Sequence, residues 1–227
     1  MLMSREKIGQ LFMVGFEGTT VSADLAAFIK EYKPGGVILF SRNLESTEQI
    51  VELTNGLQRC SPHSPLLISI DQEGGRVSRL PKEFTIFPPC EVLGRCNSSE
   101  LSYAAAATTA KELRAVGINM NMSPVLDVNS NPANPVIGDR AFGSEPGTVC
   151  ELGVPTVGGL QDNGVVACGK HFPGHGDTIA DSHKELPLVT ATRERLERIE
   201  LLPFRHAVAR GVATMMTAHV LYHALDD

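Results

Sequence analysis

The densest set of reactive side chains lies in one stretch, Lys170-His171-Phe172-Pro173-Gly174-His175-Gly176-Asp177-Thr178, running on to Asp181-Ser182-His183. Three histidines, two aspartates and a lysine fall within fourteen positions. Pro173, Gly174 and Gly176 forbid a regular helix, so the segment reads as a shaped loop. In it the Asp181-x-His183 pair can form a dyad. The carboxylate accepts a hydrogen bond from one ring nitrogen, fixes the tautomer and leaves the other nitrogen to face a substrate. Such an imidazole is a proton donor and acceptor near neutral pH. A plainer reading has these residues only satisfying loop backbone groups. Ordering so many polar groups beside glycines is costly, which favours a site that uses them.

Three smaller clusters accompany it. Asp71-Gln72-Glu73-Gly74-Gly75-Arg76, followed by Arg79, closes the third apolar run. Asp71 can accept hydrogen bonds from vicinal sugar hydroxyls, and Arg79 can donate to a hydroxyl or an acyl carbonyl. The paired glycines would let backbone approach a ligand. The opposing reading is an Asp–Arg pair that only clamps the loop. In Gly138-Asp139-Arg140-Ala141-Phe142-Gly143, either Asp139 and Arg140 pair with each other or Arg140 faces a site. Met215-Met216-Thr217-Ala218-His219 closes the sixth apolar run; its methionines suit a core, and His219 can line a pocket floor.

Short apolar runs alternating with amphipathic stretches must position these clusters. The runs are Leu11 to Phe16, Val37 to Phe40, Leu66 to Ile70, Ile118 to Val125, Val165 to Gly169 and Val212 to Met216. Helical segments lie between them: one capped by Ser22, one opened by Ser46 or Thr47, and one capped by Ser99 and ended by Gly117. Another covers about Thr148 to Asp162, with Pro155 as a kink or a later start, and the last spans Thr192 to Arg210. Gln72 to Asn97 holds Pro81, Pro88 and Pro89 and reads as an extended loop.

Near-continuous apolar strands alternating with helices predict an α/β fold with a parallel sheet covered by helices. The chemistry-bearing clusters follow strands three to six at their C-terminal ends. That predicts a TIM-type (β/α) barrel rather than an open doubly wound sheet, which would carry a glycine-rich phosphate turn. Six strands are found where a closed barrel needs eight, in a chain below the ~250 residues typical of the fold. The expectation is therefore one barrel domain over 1–227, cut after about six βα units, with strands 7 and 8 missing.

Composition narrows the partners. A chain of 227 residues with 42% hydrophobic content can bury one core. The formal net charge of -6 gives no nucleic-acid footprint, and no apolar run is long enough to span a bilayer. Cys60, Cys90, Cys96, Cys150 and Cys168 are an odd set without a C-x-x-C pair, which argues against a disulfide framework or a cysteine zinc site and suits a bacterial cytoplasm.

The ordered motifs KHFPGHGDT with DSH, IDQEGGRVSRL, GDRAFG and MMTAH resemble family 3 glycoside hydrolases, in particular their single-barrel β-N-acetylglucosaminidase branch. The resemblance runs from about residue 8 to the C-terminus. It implies an exo-acting, retaining hydrolase of terminal β-linked N-acetylglucosamine, acting on muropeptide-derived sugars in cell-wall recycling. It gives His183 the general acid/base role, assisted by Asp181, where two carboxyl groups are usual. It gives substrate binding to Asp71, Arg79, Arg140, Lys170 and His171, and it implies no metal or organic cofactor. The nucleophilic aspartate of the family belongs to an S/T-D-D-like segment after strand seven, which this sequence does not contain. Asp226 and Asp227 follow strand six and are not assigned that role. The 227-residue polypeptide alone is therefore expected to be inactive or nearly so.

Three rivals stand beside this reading. A metal-dependent hydrolase can draw on His171, His175, Asp177, Asp181 and His183, although Pro173 and Gly174 break the one-face helical spacing of H-E-x-x-H. A non-catalytic sugar-binding module has no evident use for the His183–Asp181 dyad. A β-glucosidase of the same family would usually carry other residues in the loop after strand five.

Overall fold

The computed structural model describes residues 5–62, 64–179 and 186–225. Six strands form one curled sheet: β1 (Met13–Val14), β2 (Gly36–Leu39), β3 (Leu67–Ile70), β4 (Met120–Asn121), β5 (Val166–Phe172) and β7 (Thr214–Thr217). Every neighbouring pair is parallel and the spatial order is the sequence order. The remaining strands, β6 (Leu188–Val189) and β8 (Leu221–Tyr222), pair in a separate two-stranded parallel sheet that the apolar runs did not suggest. The reading of the six apolar runs as successive parallel strands of a TIM-type (β/α) fold thus holds. Among the described residues β1 and β7 each pair on one side only.

The pleat divides the apolar residues between two faces. Val37, Leu39, Ile68, Ile70 and Ala167 point outward and join Ile50, Leu53, Leu57, Ala110, Leu113 and Val157 of the helices in the main core. Many of these are fully buried, each worth about 1.5–3 kcal/mol by burial of an aliphatic side chain. Alternate residues, among them Ile38, Leu67, Met120 and Cys168, cluster on the concave face. Lys170 keeps the parity of Val166 and Cys168, so its ammonium is directed to that concave side.

Eight helices are described: α1 (Arg5–Gly9), α2 (Ala23–Tyr32), α3 (Thr47–Cys60), α4 (Cys90–Cys96), α5 (Ser99–Ala115), α6 (Pro146–Gln161), α7 (Arg193–Arg198) and α8 (Leu202–Arg210). Ser22 and Ser46 cap α2 and α3 by accepting from the Leu25 and Gln49 N–H groups. The cap of α5 is Ser98, not Ser99; its hydroxyl accepts from Leu101 N, three residues on, the reach a capping side chain has. Helix α6 begins at Pro146, so Pro155 does not mark its start. The stretch Thr192–Arg210 is two helices, because Pro203, in the first turn of α8, has no N–H to carry one helix across Ile199–Leu201. The proline-rich segment after β3 is not loop throughout: α4 forms within it behind Pro89. The fourth apolar run pairs as a short strand, since Pro124 cannot donate and the ladder with β5 becomes irregular.

All five cysteines are free, with Cys96 exposed and the other four buried. Among the described residues, no helix is long and apolar enough to cross a membrane.

Candidate active site

The C-terminal ends of the strands surround a cavity of about 390 Å³, and Asp71, Arg79, Arg140, Lys170, His171 and His219 all line it. The five substrate-binding positions of the sequence reading are therefore brought together from three connections. Asp71 follows β3, with Arg79 in the same connection; Arg140 sits in a 3₁₀ turn, Gly138–Arg140, after β4; Lys170 and His171 end β5. Met216 also lines the cavity, while Met215 packs in the core beside Phe204.

A buried charge network links these groups. Lys170 Nζ donates to Asp71 Oδ1 at 2.8 Å and lies 2.6 Å from Glu73 Oε1. Arg140 meets Glu73 with two bonds, Nε to Oε2 at 2.9 Å and Nη2 to Oε1 at 2.8 Å, the fork geometry that guanidinium and carboxylate share. Glu73 and Lys170 side chains are each 2% exposed. Burial alone would raise the Glu73 carboxyl. The Arg140 hydrogen bonds and the Lys170 and Arg140 charges outweigh it and hold the group down to about 2. Glu73 is thus anionic throughout the neutral range and fixes two cations that line the cavity.

A second buried carboxylate serves the β5 end. Asp127 Oδ2 lies 2.6 Å from His171 Nδ1, and its oxygens accept from the His171 N–H at 3.2 Å and the His175 N–H at 2.6 Å. Burial pushes Asp127 up, but the His171 charge and these hydrogen bonds bring it below the ordinary carboxylate range. His175 is itself buried, and burial lowers its pKa, which favours the neutral ring; its Nδ1 pairs with Thr178 Oγ1 at 2.8 Å. Asn134, from the loop after β4, donates to His175 O and Thr178 Oγ1 and accepts from Val136 and Ile137 N–H. The connections after β4 and β5 are thereby braced as one unit. Their approach is so close that a Cβ on Gly176 would sit 1.7 Å from Val128 O.

The structure decides between the alternatives for Arg140, which lines the cavity, and corrects the reading of the paired glycines. Asp139 does not pair with Arg140: it meets Arg76 at 2.9 Å on the surface, because Glu73 already occupies the Arg140 fork. Gly74 and Gly75 do not open the backbone to a ligand. Both have positive φ, and the space a Cβ would need is taken by Pro88 O and Pro89, so the pair admits the returning loop. Gln72 shapes the same connection by accepting from the Arg79 and Leu80 N–H groups. The Arg79 Nε is buried with no hydrogen-bond partner among the described residues, at the cavity that Arg79 lines.

Asp181 and His183 lie outside the described residues. Of the other groups considered as metal ligands, Asp177 is engaged by Arg195 at 3.1 Å, and His175 by Thr178.

The sequence matches the Glycosyl hydrolase family 3 N terminal domain over residues 3–227. The chain belongs to glycosyl hydrolase family 3. It is 43% identical over 220 residues to a beta-hexosaminidase of Alkalilimnicola ehrlichii, covering 94% of this chain and 63% of that protein. Against beta-hexosaminidase A of Pseudoalteromonas piscicida the identity is also 43%, over 92% of this chain and 36% of that protein. Among solved structures, a family 3 beta-N-acetylglucosaminidase from Paenibacillus aligns at TM-score 0.97 and 51% identity, covering all of this chain (100%) and 44% of that one. NagZ from Neisseria gonorrhoeae, solved in complex with N-trifluoroacetyl-D-glucosamine, aligns at TM-score 0.86 and 36% identity over 94% of this chain and 65% of that one. The chain therefore spans from about a third to two thirds of the length of these relatives.

Within this family 3 chain, sequence reasoning passed over Glu73 and Asp127. Both carried a signal it had used elsewhere. Asp127 follows an apolar run just as Asp71 does, and Glu73 stands two residues beyond Asp71 in the same connection.

Proposed function

We propose that this family 3 chain forms the sugar-binding part and carries the acid/base of a retaining exo-β-N-acetylglucosaminidase. The observation that carries the reading is the Asp71–Lys170–Glu73–Arg140 network beside His171, opening on one cavity at the strands' C-terminal ends. A sugar ring presents hydroxyls that both donate and accept. Lys170, Arg79 and Arg140 are donors only, and Asp71 is an acceptor, so the lining matches that mixed demand. The names of the relatives, beta-hexosaminidase and beta-N-acetylglucosaminidase, support an N-acetylglucosamine-containing substrate.

In this proposal Asp71 receives vicinal hydroxyls, Arg79 and Arg140 donate to hydroxyl or acyl oxygens, and Lys170 and His171 complete the sugar subsite. His183, oriented by Asp181, donates a proton to the leaving oxygen and then deprotonates the attacking water. A carboxylate about 5 Å from the acid is the nucleophile of a retaining mechanism. We assign it to an aspartate in a βα unit that pairs with the open sheet edges and lies outside these 227 residues. The uncovered apolar side chains of Phe12, Phe28 and Tyr32, near the β1 edge, support such a neighbour. Muropeptide-derived sugars as substrate and a reducing cytoplasm belong to the same proposal, the latter supported by the five free cysteines.

Hydrolysis of a chromogenic β-N-acetylglucosaminide tests it. The full-length protein turns the substrate over, and His183→Ala lowers kcat by about 10²–10⁴. The 227-residue chain alone does not. Robust turnover by that chain refutes the external nucleophile, and a full-length protein with no activity refutes the glycosidase reading.

A further inference from the structure

The ring of His171 has two nitrogens, and the structure specifies which one is spoken for. Nδ1 lies 2.6 Å from Asp127 Oδ2, whose side chain is fully buried at 0% exposure. Such a carboxylate, held below its ordinary range, is an acceptor only, so Nδ1 must carry a proton. The remaining nitrogen, Nε2, is the one Asp127 does not engage, on a side chain that is 15% exposed and lines the cavity. In the neutral ring, Nε2 then carries the lone pair and is the acceptor that His171 can offer to the cavity.

This acceptor matters because of what surrounds it. Arg79, Arg140 and Lys170 can only donate, and the acceptor oxygens of Glu73 are used by Lys170 and Arg140. Each ligand hydroxyl bound by these cations still has a hydrogen to place. Asp71 and Nε2 of His171 stand beside these cations and can take it; Thr217 and His219 line the same cavity and can accept as well. We propose that Asp127 is a positioning residue: it holds His171 as the Nδ1–H tautomer, so that Nε2 accepts from a ligand hydroxyl in a pocket otherwise dominated by donors. The ligand half of this inference rests on the glycosidase reading; the tautomer half does not.

A merely structural role for Asp127 is the alternative, since it also ties down the His171 and His175 N–H groups. Asp127→Asn separates the two. Its Oδ1 still accepts from the His175 N–H, while an NH₂ group replaces the oxygen facing Nδ1. That amide donates to Nδ1 and drives the ring to the Nε2–H tautomer.

The experiment is ¹⁵N NMR of the ring nitrogens in histidine-labelled full-length protein without ligand, with the His171 signals assigned by their absence in His171→Gln. The neutral wild-type ring is expected to show the Nδ1–H pattern, and Asp127→Asn the Nε2–H pattern. On the chromogenic substrate, Asp127→Asn is expected to raise KM by about tenfold or more, as losing one hydrogen bond against a buried donor would, with a smaller change in kcat. A wild-type ring in the Nε2–H form overturns the inference, whether or not the variant folds. So does a folded Asp127→Asn protein with a switched tautomer and an unchanged KM. A wild-type protein with the Nδ1–H ring and no hydrolysis overturns the glycosidase reading and leaves the tautomer assignment standing.

Discussion

Replacing Glu73 by glutamine keeps the side chain's shape and removes one charge from the centre of the site. In the native chain that carboxylate receives Lys170 at 2.6 Å and Arg140 at 2.8 and 2.9 Å. Without it, two cations with side chains 2% and 12% exposed are left with Asp71 as the carboxylate already bonded to one of them. The magnitude follows by two routes. The carboxyl is held at about 2 against an ordinary 4.5, a depression worth about 3 kcal/mol in favour of the charged form. Breaking a buried ion pair by removing one partner costs about 3–5 kcal/mol. A loss of about 3 kcal/mol in a chain of this size lowers Tm by about 6–12 °C.

The pH dependence has a definite sign. A folded-state pKa below the unfolded one contributes stability that is complete above the ordinary carboxylate range and disappears as pH falls toward the folded value. For Glu73 the window runs from 4.5 down to about 2. Thermal unfolding followed by circular dichroism should therefore show a gap between wild type and Glu73→Gln that is widest near neutral pH and narrows on acidification through that window. Asp139→Asn is the control, since its pair with Arg76 is half-exposed; a surface pair is worth about 0–1 kcal/mol, or a few degrees at most. Equal melting temperatures for wild type and Glu73→Gln near pH 7, or a gap indifferent to acid, would refute the reasoning.

Two further outcomes are expected. Gly176→Ala places a methyl 1.7 Å from Val128 O and must separate the connections after β4 and β5, so its urea midpoint should fall by the equivalent of about 3 kcal/mol; Gly143→Ala, whose nearest neighbour is 3.6 Å away, should barely change. Burial, and then the Glu73 charge, push the Cys90 thiol up to about 12, while Cys96 is exposed. Alkylation of the native protein at mildly alkaline pH, read by peptide mass spectrometry, should label Cys96 and spare Cys90 until the chain unfolds; equal labelling rates would contradict the buried placement.

How much was legible in the sequence depends on the range of the forces involved. Strand positions followed from apolar runs and helix starts from Ser22 and Ser46, because pleat alternation and capping are local rules. The five cavity-lining positions were also legible. Each stands at the C-terminal end of a strand or in the connection that follows it, and parallel strands joined by helices put all such ends on one face. Where local rules gave wrong detail, a neighbour in sequence decided it, as Pro203 did for the break between α7 and α8.

Which charge meets which was not legible. Residue types left open whether Arg140 pairs with Asp139 or faces a site, and made Gly74 and Gly75 a ligand approach. Only the folded chain brought Glu73, 67 positions away, into the Arg140 fork and set Pro88 and Pro89 against the glycines. Likewise the Asp127–His171 contact spans 44 positions and depends on adjacent strand ends, not on any spacing in the chain. Sequence by itself determined the family, the succession of strands and helices, and the kinds of side chain at the strand ends. Tertiary structure alone decided their pairing and their charge states, because burial and the approach of distant carboxylates and cations are properties of packing.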